Sequence, residues 1–462
     1  MPTRLEDCTL EINEKRGKGY PMILSGPAGR QTGTLHLSPA SAGMRACLMR
    51  LKSFATDEEF LRQFGHTLFT ALFPPRMLTA WRKNRQNLPE DTHLRLKLII
   101  HPPEIAALPW EIMCDEDGIP VATSTPVMRY LSYPDVPKPL TVQPPLRVLV
   151  SIASPRDQAP LSSAKEKERI TSALAPLVTR GLVHLSISEQ ATGIGLLHDL
   201  RRGVHIWHFI GHGLFNAFAA NGSLAFENES GDTDLIDAKR LRILLEENSV
   251  RLAVLNACET GRFSLDPLLG IAPALVRAGI PAVVAMQFAF PDTSAVEFSS
   301  MFYRALADGY PVDACVSEGR KAVIARLGLS QPDWAIPVLY MRSPDGHLFV
   351  QSAAPTRASA QPIDIGAARL PDPTDLRHLD TATLRQMVSL WSPQPGYGAD
   401  APVGWRRTMA TTARTDESEV RRLLLAARRE LAERQGCCSG RRQTADAQTG
   451  KGRPLTCPRP IG

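Results

Sequence analysis

A histidine and a cysteine follow two short apolar runs in the middle of the chain, and a thiol beside an imidazole can attack a carbonyl. Residues 204–210 lead straight into Gly211, His212 and Gly213, and residues 252–257 lead into Cys258, Glu259, Thr260 and Gly261. A free cysteine is only a few per cent thiolate at neutral pH, and a nearby imidazole either takes its proton or pairs with the thiolate. Cys258 is then the nucleophile, and His212 protonates the leaving group or activates the water that frees the acyl group. The oxygen that turns negative needs positioned donors, each worth roughly 10² to 10³ in rate in other enzymes. The backbone amides of Gly213 and Cys258 are the candidates, since glycine lets the backbone approach without a Cβ in the way. No third residue is demanded. Asn256 and Glu259 can orient the site, or serve as a turn residue and a solvated side chain.

Two strands must carry this pair. Short apolar runs rich in β-branched and aromatic residues and bounded by glycine read as buried strands, so His212 and Cys258 are expected at two strand ends. Ligands of open α/β sheets bind in the crevice outside the carboxyl ends of the strands. Strands are expected at 146–153, 182–187, 204–210, 251–257, 282–288 and 335–341, with helices at 162–179, 194–202, 237–246, 266–278, 294–307 and 312–326. That alternation implies βαβ units and a mostly parallel sheet with helices on both faces. The helix after the cysteine is well marked: Asp266 caps it, Pro267 fits its first position, and Gly279 takes the left-handed turn that ends it. Residues 223–227 and the Gly231 turn suggest a small hairpin walling the cleft.

Four regions are expected. Residues 1–145 form a β-rich and helical entry, 146–350 the α/β core, 351–435 a partly helical extension, and 436–462 a basic tail. In the entry, short strand-like pieces lie at 8–12, 21–24 and 33–37, and a helical stripe of Phe60, Leu61, Phe64, Leu68 and Leu72 spans 56–87. His66 within it reads as structural, Trp110 as a core plug and Glu111 as a buried or capping carboxylate. Helices are expected at 381–390 and 417–435; from 436 the composition offers too little apolar surface to offset ordering entropy, which reads as disorder.

Composition narrows the classes. The 462 residues are 43% hydrophobic, ample for a core, and 53 basic against 47 acidic residues give a net charge of +6, which is no nucleic-acid footprint by itself. Eight cysteines at 8, 47, 114, 258, 315, 437, 438 and 457 form no CxxC pair, so they read as reduced thiols of a cytoplasmic protein. The first residues carry charges where a signal peptide needs an apolar core, and no uncharged run reaches the ~18 residues of a membrane span. No cofactor is expected. His205, His208 and His212 invite a metal reading, but 205 and 208 alternate across a strand and further ligands are not evident. Ser154 and Ser264 lack a G-x-S-x-G context, and Gly193-Ile194-Gly195 lacks a phosphate-loop frame.

The 46 residues from His212 to Cys258 resemble the caspase spacing of about 50. Gly211-His212-Gly213 with Asn256-Ala257-Cys258-Glu259-Thr260-Gly261 is similar to the CHAT domain family, caspase-like peptidase domains related to separases and found widely in bacteria. Segments at 108–111, 146–155, 270–279, 281–287 and 334–340 match it too, so the resemblance covers roughly residues 95–350. It implies a caspase-like α/β/α sandwich and a cysteine endopeptidase acting on a protein partner in a bacterial regulatory or defence system, with an activating protein partner in prospect. Glu259-Thr260 departs from the Arg-Gly of caspases, so a preference for aspartate does not carry over. Separases use an acidic residue on the loop equivalent to 288–292 to receive a basic side chain, which points to Asp292 as a substrate-binding residue. The alternative for Asp292 is a helix start in Pro291-Asp292-Thr293-Ser294. The alternative for the whole protein is a non-catalytic CHAT-fold interaction module with a vestigial pair.

Overall fold

A computed structural model describes residues 4–351, apart from 135, 160, 189–190, 217–220, 247 and 259–266. The chain divides into two units, Met1–Ala354 and Pro355–Gly462. The helices expected at 381–390 and 417–435, the tail from 436, and the roles offered for Glu259, Ser264 and Asp266 lie outside the described residues.

In chain order the strands are β1 (Arg4–Ile12), β2 (Tyr20–Gly26), β3 (Gly29–Leu35), β4 (Thr92–Ile100), β5 (Val127–Tyr130), β6 (Leu140–Val142), β7 (Leu146–Ile152), β8 (Val183–Ile187), β9 (Ile206–Asn216), β10 (Asn221–Glu227), β11 (Thr233–Asp237), β12 (Leu252–Cys258), β13 (Ala282–Met286), β14 (Pro337–Met341) and β15 (Phe349–Gln351). The helices are α1 (Ala42–Lys52), α2 (Glu58–Leu72), α3 (Pro75–Gln86), α4 (Pro103–Ala106), α5 (Val121–Ser124), α6 (Ser163–Thr179), α7 (Gly193–Leu200), α8 (Ala238–Leu245), α9 (Pro267–Arg277), α10 (Asp292–Ala307) and α11 (Val312–Leu327).

Apart from a parallel β6–β15 pair, the strands share one sheet in the order β11-β10-β9-β12-β13-β14-β5-β4-β1-β2-β3. The long strand β9 forks it. Along one edge residues 206–212 of β9 pair with β12; along the other, residues 206–210 pair with β7 and residues 212–216 with β10. Strands β8, β7, β9, β12 and β13 are parallel, the pairing with β14 is antiparallel, and β14, β5, β4 and β1 are again parallel.

Helices cover both faces because the central strands are apolar on both. Ile206, Ile210, Leu252 and Val254 join one core with Ile170 and Leu174 of α6 and Phe298 and Phe302 of α10. Their alternate neighbours Trp207, Phe209, Ala253 and Leu255 join a second core with Leu196 of α7, Leu241 of α8 and Ile271 and Leu275 of α9. This is the period of two that a strand imposes, read out as two cores. The layered α/β arrangement with a largely parallel centre is the expected fold class.

Three details differ from expectation. His212 is not at a strand end, since β9 runs on to Asn216 and pairs with the hairpin β10–β11. The helical stretch at 56–87 is two helices, because Pro74 and Pro75 end one and start the next: Pro74 is the N-cap of α3 and Pro75 its first residue, where a missing amide is harmless. The entry strands extend the main sheet through β1 on β4, which the short apolar pieces did not reveal. The stripe Phe60, Leu61, Phe64, Leu68 and Leu72 is buried as expected, Trp110 is fully buried and donates its indole N–H to the Ile105 carbonyl, and His66 is half-buried.

Candidate active site

Register sets the site. In the parallel ladder of β9 and β12, Cys258 is the direct partner of His212, preceded by Ile210 opposite Asn256 and His208 opposite Val254. Neighbouring strands lie about 4.8 Å apart, so the two positions are adjacent across the sheet. Cys258 is the last residue of β12, as expected. Gly211 is closely packed: a Cβ there would stand 2.8 Å from the Phe209 ring and 3.1 Å from the Ala153 carbonyl, so a larger residue makes its neighbours shift. Gly213 sits opposite Leu224 of β10.

His212 is buried, and its Nε2 lies 2.8 Å from the carbonyl oxygen of Ala159. A carbonyl only accepts, so Nε2 carries the hydrogen and the neutral ring keeps its lone pair on Nδ1. That contact orients the imidazole. Sequence reasoning offered Asn256 or Glu259 for this task. A backbone carbonyl, which no side-chain pattern announces, is the partner among the described residues, and Glu259 lies outside them.

Ala159 is held by a loop that leaves β7 just where β9 exchanges partners. The Ser154 hydroxyl donates to the Leu161 carbonyl (3.0 Å) and accepts from the Leu161 amide (3.3 Å), closing the loop at its base. Its outer side is clamped on the β10–β11 turn: Asp157 Oδ1 accepts from the Thr233 amide (2.9 Å) and hydroxyl (2.6 Å), and the Gln158 amide group donates to that hydroxyl (3.0 Å). The Arg156 amide donates to the Gly231 carbonyl and the Ser154 amide to Glu227 Oε1. The Thr233 hydroxyl and amide hold the Asp157 carboxyl below its ordinary pKa. The hairpin thus serves less as a wall than as an anchor for the loop that orients His212.

Asp292 is the first residue of α10, after Pro291, and its carboxylate pairs with Arg169 of α6. It lies on the segment that follows β13, which runs parallel beside β12 as the right-handed order predicts. Four residues before His212, His208 is wholly buried; its Nδ1 is 2.9 Å from the Tyr303 hydroxyl and burial pushes its pKa down to about 4. On the other side of the strand run, His205 meets Arg147 through both ring nitrogens. Among the described residues no group of three His, Cys, Asp or Glu side chains is placed to hold a metal. No helix among them is long and apolar enough to cross a membrane. Cys8, Cys47, Cys114 and Cys315 are free thiols; burial pushes Cys8 and Cys114 up to about 12 and Cys315 well above its ordinary value.

The family described as the CHAT domain matches residues 62–344, well over half of the chain. The chain belongs to the CHAT domain family. Among solved structures it is similar to the Arg-specific cysteine proteinase gingipain R, at 12% identity and a TM-score of 0.40, over 66% of this chain and 76% of that one. The Saccharomyces cerevisiae separase in its complex with securin matches at 15% identity and a TM-score of 0.35, over 67% of this chain and 20% of the other. The Drosophila initiator caspase Dronc matches at 12% identity and a TM-score of 0.25, over 43% and 87%. No curated protein matches the chain. The matched family is the one that the Gly211-His212-Gly213 and Cys258 motifs resembled.

Proposed function

We propose that this CHAT protein is a cysteine endopeptidase that cleaves a protein partner. Cys258 attacks the scissile carbonyl, His212 Nδ1 exchanges protons with the thiol and the leaving amine, and the amides of Gly213 and Cys258 receive the oxyanion. Asp292 receives a basic side chain next to the cut. The observation that carries this reading is the in-register pairing of Cys258 with a histidine whose far nitrogen is already committed to Ala159. The free thiols elsewhere support work in a reducing compartment such as the cytoplasm, and an activating protein partner is part of the same reading.

Labelling by a peptidyl electrophile tests it. The expected result is selective alkylation of Cys258, suppressed at least about a thousandfold by His212→Ala because nucleophile and base act as a unit. Buried Cys8, Cys114 and Cys315, with their raised pKa values, stay unlabelled. Cys258→Ala abolishes cleavage of a peptide library while circular dichroism stays native. Unselective labelling with no cleavage favours the interaction module instead, and proteolysis that survives Cys258→Ala overturns Cys258 as the nucleophile.

A further inference from the structure

The carboxylate assigned to a substrate's basic side chain already holds a cation. Asp292 Oδ2 takes Nη2 of Arg169, and Nη1 of the same guanidinium pairs with Glu166 one turn earlier on α6. Arg169 and Glu166 line a cavity of about 20 Å³ together with His208, Ile210 and Asn256. That is room for about one water and none for a side chain. Ile210 and Asn256 face each other across the ladder two positions before His212 and Cys258, about 7 Å down the strands. Arg169 thus lines the small space two positions below the register pair.

We propose that Arg169 is a specificity-determining residue that stands in for the substrate's basic side chain: its guanidinium holds Glu166 and Asp292 until an arginine or lysine takes its place. The inference rests on the pocket reading of Asp292 given above. Charge supports it, because two carboxylates share one cation and the pair keeps a net negative charge that draws in a second. Exchanging one cation for another conserves that balance, whereas an acidic or apolar side chain leaves the carboxylates uncompensated. Exposure supports it as well: the Asp292 side chain is 62% exposed and that of Arg169 27%, so the carboxylate is reachable from solvent and the pair is screened on that side.

Binding of blocked peptides to the full chain in a Cys258→Ala background tests this without turnover. One peptide carries arginine before the scissile bond and the other carries norleucine. Arg169→Ala and Arg169→Gln each tighten the arginine peptide about tenfold and leave the norleucine peptide unchanged, since they remove a competitor for a charge-assisted bond. If Asp292→Asn abolishes arginine preference while neither Arg169 variant raises it, the pocket stands and the stand-in is overturned. If Asp292→Asn leaves an arginine preference intact, the pocket reading fails and takes the stand-in with it. Absence of arginine-selective binding in both Arg169 variants also overturns the proposal. Catalysis is judged separately, by alkylation of Cys258.

Discussion

His208 shows what burial does to an ionisable group beside a reactive pair. Desolvation holds its pKa down to about 4, against roughly 6.5 for an ordinary histidine, so it is neutral in the folded protein at pH 7. The unfolded chain binds a proton below 6.5 that the folded chain refuses until about 4. Stability is therefore complete above pH 6.5 and is lost progressively as pH falls from 6.5 toward 4, by roughly 3 kcal/mol for the buried group. Thermal melts across that range should show the loss, and His208→Gln should flatten it; equal pH slopes in the two proteins would assign the titration to another group. At this scale the neighbouring placement of His212 and Cys258 was legible because both follow apolar runs that read as strands. Ala159 and Arg169 were not. A carbonyl has no residue signature, and Arg169 and Asp292 stand 123 positions apart with nothing local to link them.

Among elements, the loop between β7 and α6 carries more of the site than its sequence suggests. Its carbonyl at Ala159 orients His212, and its own place depends on the bond from Thr233 to Asp157. Asp157→Ala should therefore lower kcat by about tenfold or more while KM changes little, because it loosens the base and not the substrate contacts. Thr233→Val should do the same, and Asp157→Asn, which keeps an acceptor oxygen, should recover most of the rate. Peptide kinetics reads this out, since a lowered kcat at constant KM supports the assignment and a raised KM with unchanged kcat sinks it. Strand β9 also shows why element boundaries were harder than element types. Gly211 and Gly213 read as a strand end, yet Gly211 packs closely on Phe209 and Ala153 inside a strand that continues.

On the scale of the molecule, the entry and the core build one sheet. Strand β14 pairs on one side with β13 and on the other with β5, and β5 leads through β4 to β1. Within the entry Glu111 and Arg129 form a buried pair, and Gln287, just after β13, reaches across the junction to the Glu111 carboxylate. A fragment of residues 146–351 should therefore fail to unfold cooperatively, since it leaves β14 without β5 and Gln287 without Glu111. A sharp calorimetric transition from that fragment would show two independent domains. Alternating strands and helices made the core readable, while its union with the entry was hidden, because sequence patterns report each strand's faces and not its neighbours.

A sheet that forks has three open margins where an unbranched one has two. Among the described residues β11, β3 and β8 each lack a second neighbour, and each offers unpaired amides and carbonyls to any passing strand. The chain keeps these margins uninviting by length and by charge. Strands β8 and β11 are five residues long, β11 carries Asp234 and Asp237, and β3 begins with an exposed glycine and Arg30. The branch that lets one loop reach His212 thus imposes a standing demand on solubility, which the shortness of β8 and β11 and the charges on β11 and β3 meet.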